Sequence, residues 1–201
     1  TNEFNYDKLL IATGSSNRHL IFNEKKILPE SNIIYLRNSE DSKVLKKKIN
    51  EAQNITIVGG GFIGLEIASS ALQKGKNITI LEKGDQLMGR VIPLKIANLI
   101  QEKHESMGAS INLNVEIENI KKNNEVFEIC FNNQVMPSDL IIIGVGSVPN
   151  TKIFQNTPLD IDNGIITDEF CQTSIEDVYA SGDVSNFYHP FYQEYMRLES
   201  F

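Results

Sequence analysis

Three glycines and one glutamate have the spacing of residues that bind a dinucleotide. Gly59, Gly61 and Gly64 follow the apolar residues 55–58 and fit the pattern G-x-G-x-x-G. The first glycine permits a tight turn, the second lets the backbone approach a pyrophosphate, and the third lets a helix lie close to the strand. Glu82 follows Gly61 by about 20 positions, the spacing of the acid that binds the adenosine ribose hydroxyls. The sequence therefore predicts a dinucleotide-binding site.

A strand, a helix and a second strand must hold these residues in place. The β-branched run at residues 55–58 predicts the first strand, an apolar pattern over about residues 62–74 predicts the helix, and residues 77–81 predict the second strand. Phe62 and Ile63 lie at the helix N-terminus, where N–H groups and a partial positive charge favour phosphate. Both are candidate cofactor contacts. The alternative interpretation is a tight strand-to-helix turn followed by a surface glutamate.

The charge at position 82 bears on which dinucleotide binds. A carboxylate accepts hydrogen bonds from ribose hydroxyls and repels a 2′-phosphate, so Glu82 favours NADH over NADPH. Lys83 and Arg90 are nearby cations and further candidate contacts with the nucleotide. They could soften the preference for NADH, although single cations of this kind are also typical of plain surface positions.

Composition limits the classes of function. The chain has 201 residues, enough for one or two domains, and a formal net charge of −7 with a pI near 5.0. This acidity argues against nucleic acid or an anionic membrane as the main partner. No apolar stretch is long enough to span a bilayer and no signal-peptide pattern is present, so the cytoplasm is the expected compartment. Cys130 and Cys171 lack metal-ligand spacing, so we expect reduced thiols and no metal site.

Two further helices are predicted, one on each side of the glycine motif. Residues 40–50 are rich in lysine and carry apolar side chains on one face, as a surface helix does. Residues 93–108 begin with proline and end with glycine, which favours a helix between them. The pattern in this second helix turns Ile96, Leu99 and Ile100 inward.

Strand patterns account for much of the remaining chain. Residues 110–136 shift towards alternating apolar and polar side chains and predict an antiparallel meander. Residues 8–12 and 139–143 predict buried strands. Each of these strands ends in a turn that contains glycine, at residues 13–14 and 144–149, and glycine there permits a close approach of the backbone.

Three short segments outside the glycine motif carry a family resemblance. They are Ala-Thr-Gly-Ser at residues 12–15, Gly-Val-Gly-Ser-Val-Pro at residues 144–149 and Tyr-Ala-Ser-Gly-Asp at residues 179–183. With these segments in this order, the chain resembles the FAD-dependent pyridine nucleotide oxidoreductases. In that family an NAD domain is inserted into an FAD domain. The three segments are similar to the crossing out of the FAD domain, the crossing back into it, and the second FAD motif.

The resemblance implies roles for individual residues. It implies that Thr13, Gly14 and Asp183 contact FAD, the last through the ribityl chain, and that Gly146 contacts NAD. It also implies that Glu66 contacts the nicotinamide carboxamide. A glutamate in the first turn of a helix is favoured by the helix dipole as well, so spacing alone would not assign this role.

Within the family, the chain is most similar to the NADH-dependent ferredoxin and rubredoxin reductases, including the reductase components of dioxygenase and P-450 systems. Arg18 matches an arginine that contacts FAD, residues 35–37 match a Tyr-Leu-Arg segment, and residues 197–200 are similar to the segment beside the flavin. Asn17 stands where proline is usual. Phe201 stands where tryptophan or valine is commoner and is a further candidate FAD contact.

The predicted fold class is α/β. The resemblance implies a Rossmann-like NAD-binding domain, with a parallel sheet and an antiparallel three-stranded meander, nested in a partial FAD-binding domain. Residues 1–18 would end the first part of the FAD domain, residues 19–146 would form the NAD(H) domain, and residues 147–201 would form an incomplete second part. The family's first FAD motif and its C-terminal domain are not found in the sequence, so we expect a fragment that lacks both.

The resemblance implies an electron-transfer flavoprotein with FAD and NADH as cofactors. NADH would lie along residues 59–64 with its ribose on Glu82, and hydride would pass from its C4 atom to flavin N5. Electrons would then pass singly to an iron–sulfur protein of the ferredoxin or rubredoxin type. No side-chain acid, base or nucleophile is needed, so no catalytic residue is assigned. We expect the isolated chain to bind NADH, to hold FAD weakly and to be inactive.

Other functions fit the same sequence. An NADH oxidase or a disulfide reductase of the wider family is the enzymatic alternative, although the segment at residues 197–200 argues against it. A non-catalytic module that senses NADH, similar to apoptosis-inducing factor, is an alternative from another class. A lone NAD(H)-binding module is a third. The sequence leaves the oligomeric state open.

Overall fold

A computed structural model describes residues 3–22, 24–89, 91–123 and 126–198. The chain divides into two compact units. One unit is Asn17–Gly146, and the other combines the described residues up to Ser16 with those from Ser147 onward.

Short strands dominate the described secondary structure. The helices are α1 (Ser39–Glu51), α2 (Phe62–Leu72) and α3 (Leu94–Ser106), and short 3₁₀ helices span Lys152–Phe154 and Gly182–Val184. The strands in chain order are β1 (Leu9–Ile11), β2 (Ser15–Asn17), β3 (Ile21–Phe22), β4 (Lys25–Lys26), β5 (Ile33–Ile34), β6 (Asn54–Val58), β7 (Asn77–Leu81), β8 (Ser110–Asn112), β9 (Ile117–Asn123), β10 (Val126–Phe131), β11 (Gln134–Ser138), β12 (Leu140–Ile143), β13 (Ser147–Pro149), β14 (Ile165–Thr167), β15 (Val178–Ala180), β16 (Ser185–His189) and β17 (Glu194–Met196).

A five-stranded parallel sheet forms the centre of the Asn17–Gly146 unit. Its strand order is β5-β12-β6-β7-β8, and β6 pairs with β7 from Asn54 opposite Asn77 to Val58 opposite Leu81. The central strands are buried on both faces, as parallel strands are, which explains their nearly continuous apolar sequences. The predicted parallel sheet is therefore confirmed, and so is the strand–helix–strand arrangement of β6, α2 and β7.

Helices cover one face of this sheet and antiparallel strands cover the other. Alternate residues of the central strands, such as Ile57 and Ile80, pack in one cluster with apolar side chains of α1 and α2. The intervening residues, such as Val58 and Ile141, pack in a second cluster with β10 side chains including Phe127. The period of two along each strand thus separates the two layers that enclose the sheet.

The antiparallel layer is a three-stranded sheet in the order β11-β10-β9, which confirms the predicted meander. Its extent differs from the prediction, because Ser110–Asn112 is not part of it. That segment is β8, the edge strand of the parallel sheet, with Ile80 opposite Ile111. An edge strand with one partly buried face alternates in the same way as a meander strand, so periodicity alone could not assign it.

Helix α3 packs through a narrower face than its sequence indicates. Ile96 and Leu99 were predicted to point inward, but they are exposed, and the buried position is Ala97. Ile100 is partly buried against the helix-side cluster, as predicted. His104 adds a polar contact, because its Nε2 atom lies 3.2 Å from the carbonyl oxygen of Leu65 in α2.

The other unit has small sheets around a compact apolar cluster. Strand β1 pairs with β15 in parallel, β2 with β13, and β14, β16 and β17 form a third sheet with parallel and antiparallel pairs. Its core contains Ile11, Ile165, Val178 and Val184. In the part of the chain that the structure describes, no helix has the length and apolar character needed to cross a membrane.

Candidate dinucleotide-binding site

The turn from β6 into α2 has two positions that only glycine can occupy. Gly59 has a φ of +105°, and a Cβ atom there would lie 2.3 Å from the carbonyl oxygen of Gly144 at the end of β12. A Cβ atom on Gly64 would lie 2.3 Å from the carbonyl oxygen of Gly59. The backbone directly after β12 thus packs against the turn, and the first turn of α2 packs against the backbone directly after β6. These are the close approaches that the sequence pattern predicts for its first and third glycines.

The middle glycine faces open space. Gly61 is the N-cap of α2 and has a φ of −84°, which any residue can adopt. No described atom lies within 4 Å of the position that a Cβ atom would take on Gly61, and no side chain in the described ranges caps the helix. The N-terminus of α2 therefore presents an open cradle whose dipole favours an anion.

The carboxylate of Glu82 lies beside this turn, at the end of β7. Its Oε2 atom accepts a hydrogen bond of 2.6 Å from the Gly60 backbone N–H, and its Oε1 atom accepts one of 2.7 Å from the Gly84 N–H. Carboxylate oxygens have about four lone-pair sites, so the side chain keeps acceptor capacity for ribose hydroxyls. The neighbouring Lys83 is exposed.

The first two turns of α2 carry three other predicted contacts with the nucleotide. Phe62 and Ile63 are each more than one-third exposed, and Glu66 is exposed. Phe62 and Glu66 line a shallow groove between α2 and α3, whose far side includes Ile100 and His104. The structure therefore brings the glycine turn and Glu82 together at the carboxyl ends of β6 and β7, and it places Glu66 on α2 in the groove beside α3.

Gly146 and Arg18 are brought together by the backbone. The carbonyl oxygen of Gly146, which has a φ of +103°, accepts a hydrogen bond of 2.9 Å from the Arg18 N–H. The segment that follows Arg18 is held by Tyr35, whose hydroxyl donates to the Ile27 carbonyl at 2.9 Å and accepts from the Leu20 N–H at 3.2 Å. Tyr35 thus bonds to both ends of the segment that carries β3 and β4.

Burial raises the pKa of Tyr35 above the ordinary value of 10.0. The folded state therefore favours the neutral phenol. Its stabilising contribution is present below about pH 10 and is lost as the pH rises through the higher folded-state pKa. We expect Tyr35→Phe to lower the free energy of unfolding by about 1–2 kcal/mol at about pH 8, and by less at about pH 11. Urea unfolding at both pH values tests this, with the exposed Tyr6→Phe as control, and equal losses for Tyr35→Phe at both would contradict it.

The predicted FAD contacts Thr13 and Gly14 lie in the other unit, where Asn150 holds them. The Asn150 side chain donates to the Thr13 carbonyl at 2.8 Å and accepts from the Ser16 hydroxyl at 2.7 Å. Its backbone N–H donates to the Gly14 carbonyl at 2.9 Å. The sequence analysis did not single out Asn150, and its position directly after the second glycine turn was the available signal.

Asp183 is buried in the same unit and contacts the first predicted crossing segment. Its Oδ2 atom accepts a hydrogen bond of 2.8 Å from the Ser15 hydroxyl. The structure therefore brings the Ala-Thr-Gly-Ser and Tyr-Ala-Ser-Gly-Asp segments together, and Ser15 is a partner of a predicted site residue that the sequence analysis did not single out. Arg90 and Phe201, two further predicted contacts, lie outside the described residues.

A comparison with protein families shows to which family the chain belongs. The sequence profile of the family described as pyridine nucleotide-disulphide oxidoreductase matches residues 1–199. The chain belongs to this family.

The relatives of this chain include rubredoxin and ferredoxin reductases. The chain is 34% identical to rubredoxin-NAD(+) reductase of Ectopseudomonas oleovorans over 98% of its own length and 51% of that protein. The ferredoxin reductase for the CYP199A2 system of Rhodopseudomonas palustris is 31% identical with a TM-score of 0.89, covering 97% of this chain and 48% of that one. A covalent putidaredoxin reductase–putidaredoxin complex contains a chain that is 28% identical with a TM-score of 0.87, covering 97% and 48%. The chain spans about half the length of these relatives.

Proposed function

We propose that the chain supplies the NADH-binding site and part of the FAD-binding site of a reductase that passes electrons to a ferredoxin- or rubredoxin-type iron–sulfur protein. The observation that carries this proposal is the open glycine turn with the Glu82 carboxylate fixed beside it. The similarity to rubredoxin-NAD(+) reductase over 98% of the chain supports the choice of acceptor class. The cytoplasm stays the predicted compartment.

The residues present fit NADH. The space above Gly61 admits a pyrophosphate that a Cβ atom would obstruct, and the N-terminus of α2 offers N–H groups to its oxygens. Glu82 would accept hydrogen bonds from the adenosine ribose, while Glu66 would accept one from the nicotinamide carboxamide. Lys83 would contribute at most an exposed charge.

The described residues also fit part of an FAD site. We assign Thr13 and Gly14 to the flavin nucleotide, and Asp183 to its ribityl hydroxyls, because a buried carboxylate can accept from hydroxyls that replace water. Arg18 and Gly146 belong to the segments that the chain uses to leave and re-enter this unit. Bound together, the two cofactors supply hydride transfer and one-electron chemistry, and the protein supplies alignment and electrostatics.

The negative charge of Glu82 predicts a preference for NADH over NADPH that a binding measurement can test. We expect the native chain to bind NADH at least about tenfold more tightly than NADPH, because the 2′-phosphate would lie beside the carboxylate. Isothermal titration with both nucleotides measures the ratio. Equal affinity would contradict the assignment of Glu82 to the ribose, and no binding of either nucleotide would overturn the NADH site.

The acceptor is tested by turnover. The product of the reading frame that contains this chain, loaded with FAD, should reduce a ferredoxin or rubredoxin with NADH as donor. Turnover with oxygen or a disulfide and none with either iron–sulfur protein would favour the NADH oxidase or disulfide reductase alternative. Binding of NADH without turnover of any acceptor would favour a sensing module.

A further inference from the structure

We infer that Glu82 positions the glycine turn itself, in addition to its role at the ribose. This inference rests on the proposed NADH site, and it makes Glu82 a positioning residue for the pyrophosphate. The two oxygens of one carboxylate bridge Gly60, inside the turn, and Gly84, beyond β7. Both hydrogen bonds are short and charge-assisted, which places them among the stronger bonds in proteins.

Glu82 can act in this way because its own backbone is fixed on both sides. Its N–H donates to the Asn112 carbonyl and its carbonyl accepts from the Val115 N–H, each at 2.9 Å. The end of β8 and the segment after it therefore hold position 82 in place. The turn is held from the other direction as well, since the Gly60 carbonyl accepts from the Met88 N–H at 3.0 Å.

Gly60 has little room for a side chain beside the carboxylate. A Cβ atom on Gly60 would lie 2.5 Å from Leu87 Cδ2 and 3.2 Å from Glu82 Oε2. Leu87 is fully buried in the helix-side cluster, so a shift of its side chain would disturb the packing there. The absence of a side chain at position 60 thus leaves the space in which the Glu82 carboxylate reaches the Gly60 N–H.

Replacing Glu82 by glutamine should therefore have two separate effects, one on the contact with the ribose and one on the hydrogen bonds that hold the turn. In Glu82→Gln the side chain keeps one acceptor oxygen, and its NH₂ group must face either the Gly60 or the Gly84 N–H, donor against donor. One of the two amides then loses its partner, which costs more than the loss of a solvent-exposed contact. The glycine turn should shift even where no ribose hydroxyl is present.

A nucleotide without the ribose hydroxyls isolates the positioning effect. The probe is the NADH analogue with a 2′,3′-dideoxy adenosine ribose, which can gain nothing from Glu82 as a hydroxyl acceptor. We expect Glu82→Gln to weaken binding of this analogue by about five- to tenfold, as the loss of one charge-assisted hydrogen bond predicts. Asp85→Asn removes the same charge from an exposed neighbour and should leave its affinity unchanged. Unchanged binding of the analogue to Glu82→Gln would overturn the inference.

A second measurement on the native chain needs no variant and no nucleotide. Hydrogen-bond scalar couplings measured by NMR should join the amide nitrogens of Gly60 and Gly84 to the carboxyl carbon of Glu82. Absence of both couplings would overturn the inference even if Glu82→Gln fails to fold. If the native chain binds neither nucleotide, the proposed NADH site fails, and these couplings still decide whether Glu82 bridges the turn and Gly84.

Discussion

Replacing Gly59 by alanine is expected to lower the free energy of unfolding by about 3 kcal/mol or more. Two effects combine at this position. The backbone has a φ of +105°, which is costly for a residue with a Cβ atom, and that atom would lie 2.3 Å from the Gly144 carbonyl oxygen. The atoms that would clash belong to the backbone directly after β12, and Gly59 itself lies directly after β6. Because β6 and β12 pair with each other, neither segment can move aside without breaking that pairing.

Gly108 provides a matched control for this substitution. It has a similar φ of +99°, but no described atom lies within 4 Å of its Cβ position. Gly108→Ala therefore reports the conformational cost alone, which we expect to be about 1–2 kcal/mol. Urea unfolding of both variants gives the steric part by difference. If Gly59→Ala is no more destabilising than Gly108→Ala, the close approach of β12 to the turn is wrong.

Replacing Gly61 by alanine is expected to change the stability little and to weaken NADH binding strongly. Its φ of −84° suits alanine and its Cβ position is open, so the expected cost is only that of a poorer N-cap, and the free energy of unfolding should fall by less than about 1 kcal/mol. The new methyl group would enter the space that we assign to the pyrophosphate. We therefore expect NADH binding to weaken by about 100-fold, since a steric clash at the phosphates also displaces them from the α2 N–H groups.

The control for Gly61→Ala is Ser70→Ala, on the exposed side of the same helix, which should change neither property. Unfolding and isothermal titration are measured on the same preparations. Normal NADH affinity in folded Gly61→Ala would remove the pyrophosphate from this turn. A large loss of stability would instead show that the space above Gly61 is filled.

Much of the fold could be predicted because the central strands have unambiguous patterns. Strands β6 and β7 are β-branched, apolar and bounded by glycine, and their buried position on both faces of a parallel sheet follows from that composition. The failures have a common cause. Ile96 and Leu99 in α3, and Ile111 in β8, are apolar residues at elements that pack weakly at an edge, where the pattern does not specify which face is covered.

In the candidate site, the residues of the local turn could be predicted from the sequence, but the distant residues that hold the site could not. The glycine spacing encodes a local turn, so the positions of Gly59, Gly61 and Gly64 could be predicted from the sequence. The partners that hold the site could not. Asn150 and Ser15 act through hydrogen bonds to segments more than one hundred residues away in the chain, and no local pattern encodes such contacts.

The most direct test of the account is a titration of the native chain with NADH, followed at each backbone amide by NMR. We predict that the largest shifts occur in the turn from Gly59 to Gly64 and at Gly84, with a smaller response at Glu66. NADPH at the same concentration should produce the same pattern with weaker saturation. Shifts confined to other parts of the chain, or none at all, would contradict the assignment of this turn as the NADH site.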